Sequence, residues 1–301
     1  MTPTRAPSVT EAPPTQPDEG VVRLAFSPDS DDLFMFWPIL SGQVDAEGLR
    51  FAAERADTES LNARAAAGDV DVLAVSVARW PSIARDYQLL PHGMSVGRGY
   101  GPVVVAREER PLASLAGARI GVPGLRTTAY VVLKLLLPRF EPMVVPISPY
   151  GRAFDAVRSG EVDAALLIHE GRLTFEREGL ARVCDLGEEW ASATGLPLPL
   201  GANVIRRGLG APRIACISRV VRASIEWALT HREDAMRALL ERETRHDVGL
   251  DPALLDRYLA MYANADTREA PDDVRRAVAE LYARAHAAGL IDAAPDVDFA
   301  P

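Results

Sequence analysis

Two cysteines, Cys184 and Cys216, are all the thiol this 301-residue chain holds. They form no CxxC, and no histidine stands at metal-ligand spacing from either, so a structural zinc is not expected. Runs of lysine or arginine are missing too, and with a formal charge of −9 the chain lacks the basic face of a nucleic-acid binder. An anionic ligand must then be held by backbone dipoles and a few placed cations. No apolar stretch is long enough to span a bilayer. The richest, 130–137, is broken by Lys134 and suits a buried helix. Residues 1–20 have no apolar core after Arg5, so they do not read as a secretory signal. Their proline, threonine, alanine and acidic residues predict a disordered tail on a cytoplasmic protein.

What is present, 48% hydrophobic and 25% charged residues, is the composition of a globular protein long enough for two domains. From Val21 apolar strand-like runs alternate with amphipathic stretches, the signature of βαβ units. The first strand, 22–26, leads into Ser27-Pro28-Asp29-Ser30-Asp31-Asp32, a turn crowded with helix-capping residues, and then a helix over 33–40 that Pro38 is expected to bend. A segment over 61–72 ends a helix at Gly68 and enters a strand over 72–77. Residues 153–164 repeat that plan around Gly160 and enter a strand ending at His169. Ser76 and His169 therefore stand at comparable strand ends, one in each half.

The glycine-rich stretch 97–102 precedes a strand, the wrong order for a dinucleotide fingerprint, and reads either as a crossing between halves or as a plain surface turn. A second crossing is expected at 196–201, stiffened by Pro197 and Pro199. From Arg219 to about Leu290 the pattern is helical, with a polar joint over 264–272. A two-lobed α/β chain with two interlobe crossings and a helical C-terminal region has the plan of the periplasmic-binding-protein-like (type II) fold. Lobe 1 would comprise 21–105 and 203–292, and lobe 2 would comprise 106–202.

In open α/β sheets ligands sit beyond the carboxyl ends of strands, which makes His169 the first candidate for chemistry. Either it hydrogen-bonds a neighbouring loop, or it serves as a general base poised near neutral pH, with Glu170 orienting it or solvated. His169-Glu170 is half of a metalloprotease helix motif, but Leu173 stands where the second histidine would be needed, so no metal is expected there. Thr127 and Thr128, opening a helix after Gly124, offer an anion hydroxyls and backbone N–H groups, or else one of them is an N-cap. Ser76 has no Gly-x-Ser-x-Gly context and reads as a hydrogen-bonding group rather than a nucleophile. Asp29, Ser30, Asp31 and Asp32 are ligand contacts or caps, with at most two expected to face the cleft. His92, His231, His246 and His286 read as structural or solvated.

Taken in order, these segments resemble the 1,4-dihydroxy-6-naphthoate synthase family of the futalosine route to menaquinone. The matching features are Ser27-Pro28 with Phe34, Leu61-Asn62 with Gly68-Asp69-Val70, Gly101-Pro102 before a strand, and Pro123-Gly124 before Thr127-Thr128-Ala129. They continue with 168–175 (Ile-His-Glu-Gly-Arg-Leu-Thr-Phe), Asp185-Leu186-Gly187 with Trp190, 194–201 (Thr-Gly-Leu-Pro-Leu-Pro-Leu-Gly) and Arg206-Arg207. The resemblance covers about 21–209. It implies a lyase acting on cyclic dehypoxanthinyl futalosine, without metal or organic cofactor, in which His169 is the base. It also implies that Thr127, Thr128, Ser76, Asn62, Glu170 and the first loop, through Asp29 and Asp31, contact a small anionic substrate. The first loop departs from the Ser-Pro-Cys-Pro-Asn-Asp type expected of the family, and Ala202 replaces a common second glycine. The rival readings are chorismate dehydratase, whose Ser-Tyr-Leu-Asn start is missing here, and a non-catalytic solute-binding protein for a small anion. The sequence leaves the oligomeric state open.

Overall fold

Runs of β-branched and aliphatic residues form short strands, and the polar-capped amphipathic stretches between them form helices. The computed structural model describes residues 20–301 except 148, 150 and 243–250. Residues 1–19 of the expected tail, and His246, lie outside the described residues. The first half of the chain gives β1 (Val21–Phe26), α1 (Ser30–Leu40), β2 (Arg50–Arg55), α2 (Thr58–Arg64), β3 (Val72–Ser76), β4 (Tyr87–Leu89), β5 (Ser95–Gly97), β6 (Val103–Ala106), β7 (Arg119–Val122), α3 (Thr128–Leu136) and β8 (Glu141–Val144). The second half gives α4 (Gly151–Ser159), β9 (Ala164–Leu167), α5 (Gly171–Thr174), β10 (Ala181–Asp185), α6 (Leu186–Thr194), β11 (Leu198–Arg206), α7 (Ala211–Thr230), α8 (Arg232–Arg242), α9 (Pro252–Tyr262), α10 (Ala265–Arg268) and α11 (Asp272–Ala287).

Among the described residues the strands form two sheets. The first runs β2-β1-β3-β11-β4, with β5 also paired to β11, and the second runs β10-β6-β9-β7-β8. β1 is parallel to β2 and β3, and β7 to β8 and β9, as crossover helices require. The strands that carry the chain between sheets, β6 and β11, pair antiparallel with their neighbours. β6 lies wholly in the second sheet and β11 wholly in the first, so the chain changes sheets a few residues before 105 and before 202. Pairing decides this. Val103–Ala106 finds β9 on one side and β10 on the other, and Pro199 is accommodated in β11 where the register against β5 shifts.

The stretch 98–102 is thus the first crossing rather than a plain surface turn. It is tightly packed: a Cβ on Gly101 would lie 2.8 Å from the Gly187 nitrogen, so crossing and α6 meet backbone to backbone. Helix α7 begins at Ala211, ahead of the expected Arg219, because Gly210 and a proline in the first turn start it earlier. The polar joint is α10, closed by a capping box from Asn264. α1, α7, α8 and α9 bury Phe26, Phe34, Phe36 and Tyr258 against the first sheet, at roughly 1.5–3 kcal/mol for each large apolar side chain. α11 stacks Tyr282 on Trp80, centroids 5.8 Å apart, and the last residues bond Leu89, covering the edge of β4.

Candidate active site

The carboxyl ends of β1, β3 and β9 and the start of α3 converge on a cleft between the sheets, with about 760 Å³ of empty space including its mouth. β9 stops at Leu167, short of the expected strand end, and His169 adopts φ 53. A non-glycine residue in that left-handed region costs on the order of 1–3 kcal/mol and must be held by its surroundings. The hold is the Asp29 carboxylate, 1% exposed, which forms an ion pair with Nδ1 of His169. Ser27 Oγ donates to the same carboxylate. With Nδ1 buried there, Nε2 is the imidazole nitrogen left for a ligand.

Burial disfavours the charged imidazole, but the carboxylates of Asp29, Asp31 and Glu170 outweigh it and hold the His169 pKa up at about 9. The group expected to titrate near neutrality is therefore cationic at neutral pH in the ligand-free protein. Asp32 is pushed the other way from ordinary carboxyl behaviour: burial first, then the Asp31 charge, raise it to about 8. Its Oδ2 accepts the Ser27 amide at 2.8 Å. Asp31, also raised by burial, accepts from Ser95 Oγ at 2.6 Å and Tyr258 OH at 3.0 Å.

Five of the eight expected site residues, His169, Asp31, Ser76, Thr127 and Thr128, line the cleft. The other three support the lining. Asn62 orients Ser76, donating to its Oγ at 3.0 Å and accepting its N–H at 2.9 Å. Glu170 is fully buried and accepts from Ser30 N at 3.2 Å and Ser30 Oγ at 2.5 Å, so it is neither solvated nor a lining group. Asp29 is absorbed by His169 and Ser27. The family resemblance implies ligand contact for all three, and their protein partners come from elements distant in the sequence.

Both threonine hydroxyls have structural partners. Thr127 Oγ1 is the N-cap acceptor for Tyr130 N at 3.2 Å and donates to Gly124 O. Thr128 Oγ1 donates to Leu200 O at 2.7 Å and accepts from Ala78 N at 3.0 Å. What they present to an anion is the backbone start of α3 with its dipole. The cleft also takes in residues the sequence reading passed over: Asn203, Tyr258, Tyr262 and Arg172. Arg172 is fixed by Gly101 O at 2.6 Å and Asp185 Oδ2 at 2.7 Å. The four-residue spacing of Tyr258 and Tyr262 on α9 was visible, but a core stripe has the same spacing. His92 is buried, and burial lowers its pKa to about 4; His231 stacks on Trp227.

One ligand atom each from Asp29, His169 and Glu170 lies within 4.8 Å of the others, close enough to surround a cation, although their sequence spacing gave no hint of a cluster. Asp29 already pairs with His169 and accepts from Ser27, and Glu170 accepts from Ser30, which fits a hydrogen-bonded ion-pair network better than a metal centre.

Two α/β halves around a ligand cleft define the class, the periplasmic-binding-protein-like fold. The alkanesulfonate-binding protein SsuA from Xanthomonas axonopodis pv. citri shares it with a TM-score of 0.69, at 15% identity over 93% of this chain and 96% of that one. That likeness is one of fold alone. A family model described as menaquinone biosynthesis matches residues 22–287, and the chain belongs to that family. A protein named 1,4-dihydroxy-6-naphtoate synthase from Thermus thermophilus is 39% identical over 91% of this chain and 97% of its own length. One of the same name from Streptomyces coelicolor is 37% identical over 90% and 95%. Protein AF1704 from Archaeoglobus fulgidus, a solved structure, aligns with a TM-score of 0.84 at 39% identity over 92% of this chain and all of that one. Kinship with synthases supports an enzyme role in menaquinone biosynthesis. No helix among the described residues is long and apolar enough to cross a membrane.

Proposed function

We propose that the chain is a carbon–carbon lyase that converts cyclic dehypoxanthinyl futalosine to 1,4-dihydroxy-6-naphthoate, with His169 as the base. The single observation that carries this reading is a strained, carboxylate-paired histidine lining a cleft between two sheets, in a chain similar throughout to proteins named for that product. His169 Nε2 takes a proton from the carbon beside the carbonyl system, the sugar-derived ring opens, and a small hydroxyketone leaves. Aromatisation supplies the driving force. The start of α3 holds an anionic oxygen of the substrate, and Ser76, fixed by Asn62, donates to it. Closure of two lobes joined at 98–102 and 195–197 excludes water from the step.

Because only the neutral imidazole accepts a proton, kcat/KM is expected to climb with pH toward about 9 rather than to level off near neutrality. The deciding experiment incubates purified protein with cyclic dehypoxanthinyl futalosine, and in parallel with chorismate, and follows the naphthoate. Product from the first alone supports the reading. Turnover of chorismate, or tight binding with no turnover of either, overturns it in favour of the dehydratase or the solute-binding protein. Exhaustive chelation is expected to leave the rate unchanged; activity lost to the chelator and restored by one metal would instead make the Asp29, His169 and Glu170 cluster a metal site.

A further inference from the structure

We propose that Asp29 is a positioning residue that completes His169 from the opposite side of the cleft, so that the working histidine–carboxylate pair exists only when the two halves are closed. The proposal rests on the reading of His169 as the base. Asp29 follows β1 in the first sheet, whereas His169 follows β9 in the second, so the pair bridges the two.

The local structure shows what Asp29 gives up for this. It is the N-cap of α1, yet its side chain makes no cap hydrogen bond. Asp57, Asp185 and Asp251, the N-caps of α2, α6 and α9, all accept first-turn amides. An aspartate cap stabilises its helix by accepting those amides, and Asp29 instead turns its carboxylate across the cleft to His169. The next residue makes a second link, since Ser30 donates both its amide and its hydroxyl to Glu170, the neighbour of His169.

The groups facing His169 are Asp29, Asp31 and Glu170, with Asp32 and Arg172 in the same lining. In an open form without Asp29 the imidazole reverts toward its ordinary pKa of about 6.5, and at neutral pH it is largely uncharged. On closure it becomes a group titrating at about 9, and the substrate's carbon-bound proton is the one within reach. The linkage has a definite sign. A pKa raised in the closed form favours closure fully below about 6.5, and that contribution is lost as the pH rises through about 9.

The test is the titration of the His169 imidazole by NMR in ligand-free protein, its resonance assigned by its absence from His169→Asn. Wild type is expected to titrate near 9, and Asp29→Asn at or below about 6.5. Asp29→Asn is also expected to lose at least ~10²-fold in kcat with substrate affinity changed only a few-fold, and to move the pH limb of the rate downward. A merely structural Asp29 predicts a lower melting temperature and the same His169 midpoint. If Asp29→Asn does not fold, wild type still decides: small-angle scattering should show a larger radius of gyration above pH ~9 than below ~6.5. An unchanged midpoint in the variant, a wild-type midpoint near 6.5, or dimensions independent of pH would overturn the proposal. Titration and scattering need no turnover. A wild type that makes no naphthoate sinks the lyase reading and leaves the pair standing.

Discussion

Two helix-to-strand units, α2 into β3 and α4 into β9, share one construction. Each closes with a left-handed glycine, Gly68 at φ 65 and Gly160 at φ 78, and each carries one polar side chain to the cleft, Ser76 or His169. The difference lies in what meets that side chain. Ser76 is held by the neutral amide of Asn62, from α2 of its own unit. His169 is held by a buried carboxylate from the other sheet, in a strained backbone conformation. A neutral, local partner fixes a hydroxyl in place without changing its chemistry; a charged, distant partner both fixes the imidazole and raises its basicity. Delivery is thus a local property, and reactivity comes from across the chain.

The comparison is broken most sharply at His169. His169→Asn is expected to lower kcat by ~10² to 10⁴ while substrate affinity by calorimetry stays within a few-fold, because a base acts in the transition state. Near-wild-type turnover in that variant would remove the base assignment and make Asp32 the next candidate.

At the other unit the expected effects are smaller and of another kind. Asn62→Leu leaves the buried Ser76 amide and hydroxyl without their partner, at about 1–3 kcal/mol, read as a lower urea midpoint. Ser76→Ala is expected to weaken substrate binding roughly 5- to 10-fold, as for one lost hydrogen bond, with the pH profile unmoved. A shift of the pH limb in Ser76→Ala would mean that the two units are chemically coupled after all.

The smallest effect tests what the units share. Gly68→Ala and Gly160→Ala each force an alanine into the left-handed region at about 1 kcal/mol. Nothing within 4 Å crowds a Cβ at Gly68, and at Gly160 the nearest atom is an Arg107 guanidinium nitrogen at 3.5 Å, so the two costs should be alike. Markedly unequal losses in thermal midpoint would show that the units are not equivalent in the folded protein.

Much of this was legible because it depends on near neighbours in the chain. The strand and helix order, the glycine closures and the delivery of Ser76 and His169 follow from apolar periodicity and from residues that tolerate positive φ. The fold and family were legible as well, since the motifs lie in order along the chain. The crossings fell a few residues from their expected ends because strand pairing, which is non-local, decides where a strand begins. The protein partners of Asp29, Asn62 and Glu170, which are His169, Ser76 and Ser30, were not legible, because each pairing depends on which elements pack together.

By itself, then, the amino-acid sequence determined the elements, the two-halved plan and which side chains arrive at strand ends, because those follow from hydrogen bonding and packing within a few residues. Only the tertiary structure decided that Asp29 pairs with His169, that Glu170 is buried against Ser30, and that the imidazole is held up at about 9. The reason is that a charge's effect depends on its distance and on the solvent it excludes, and both are set by which sheets come to face each other.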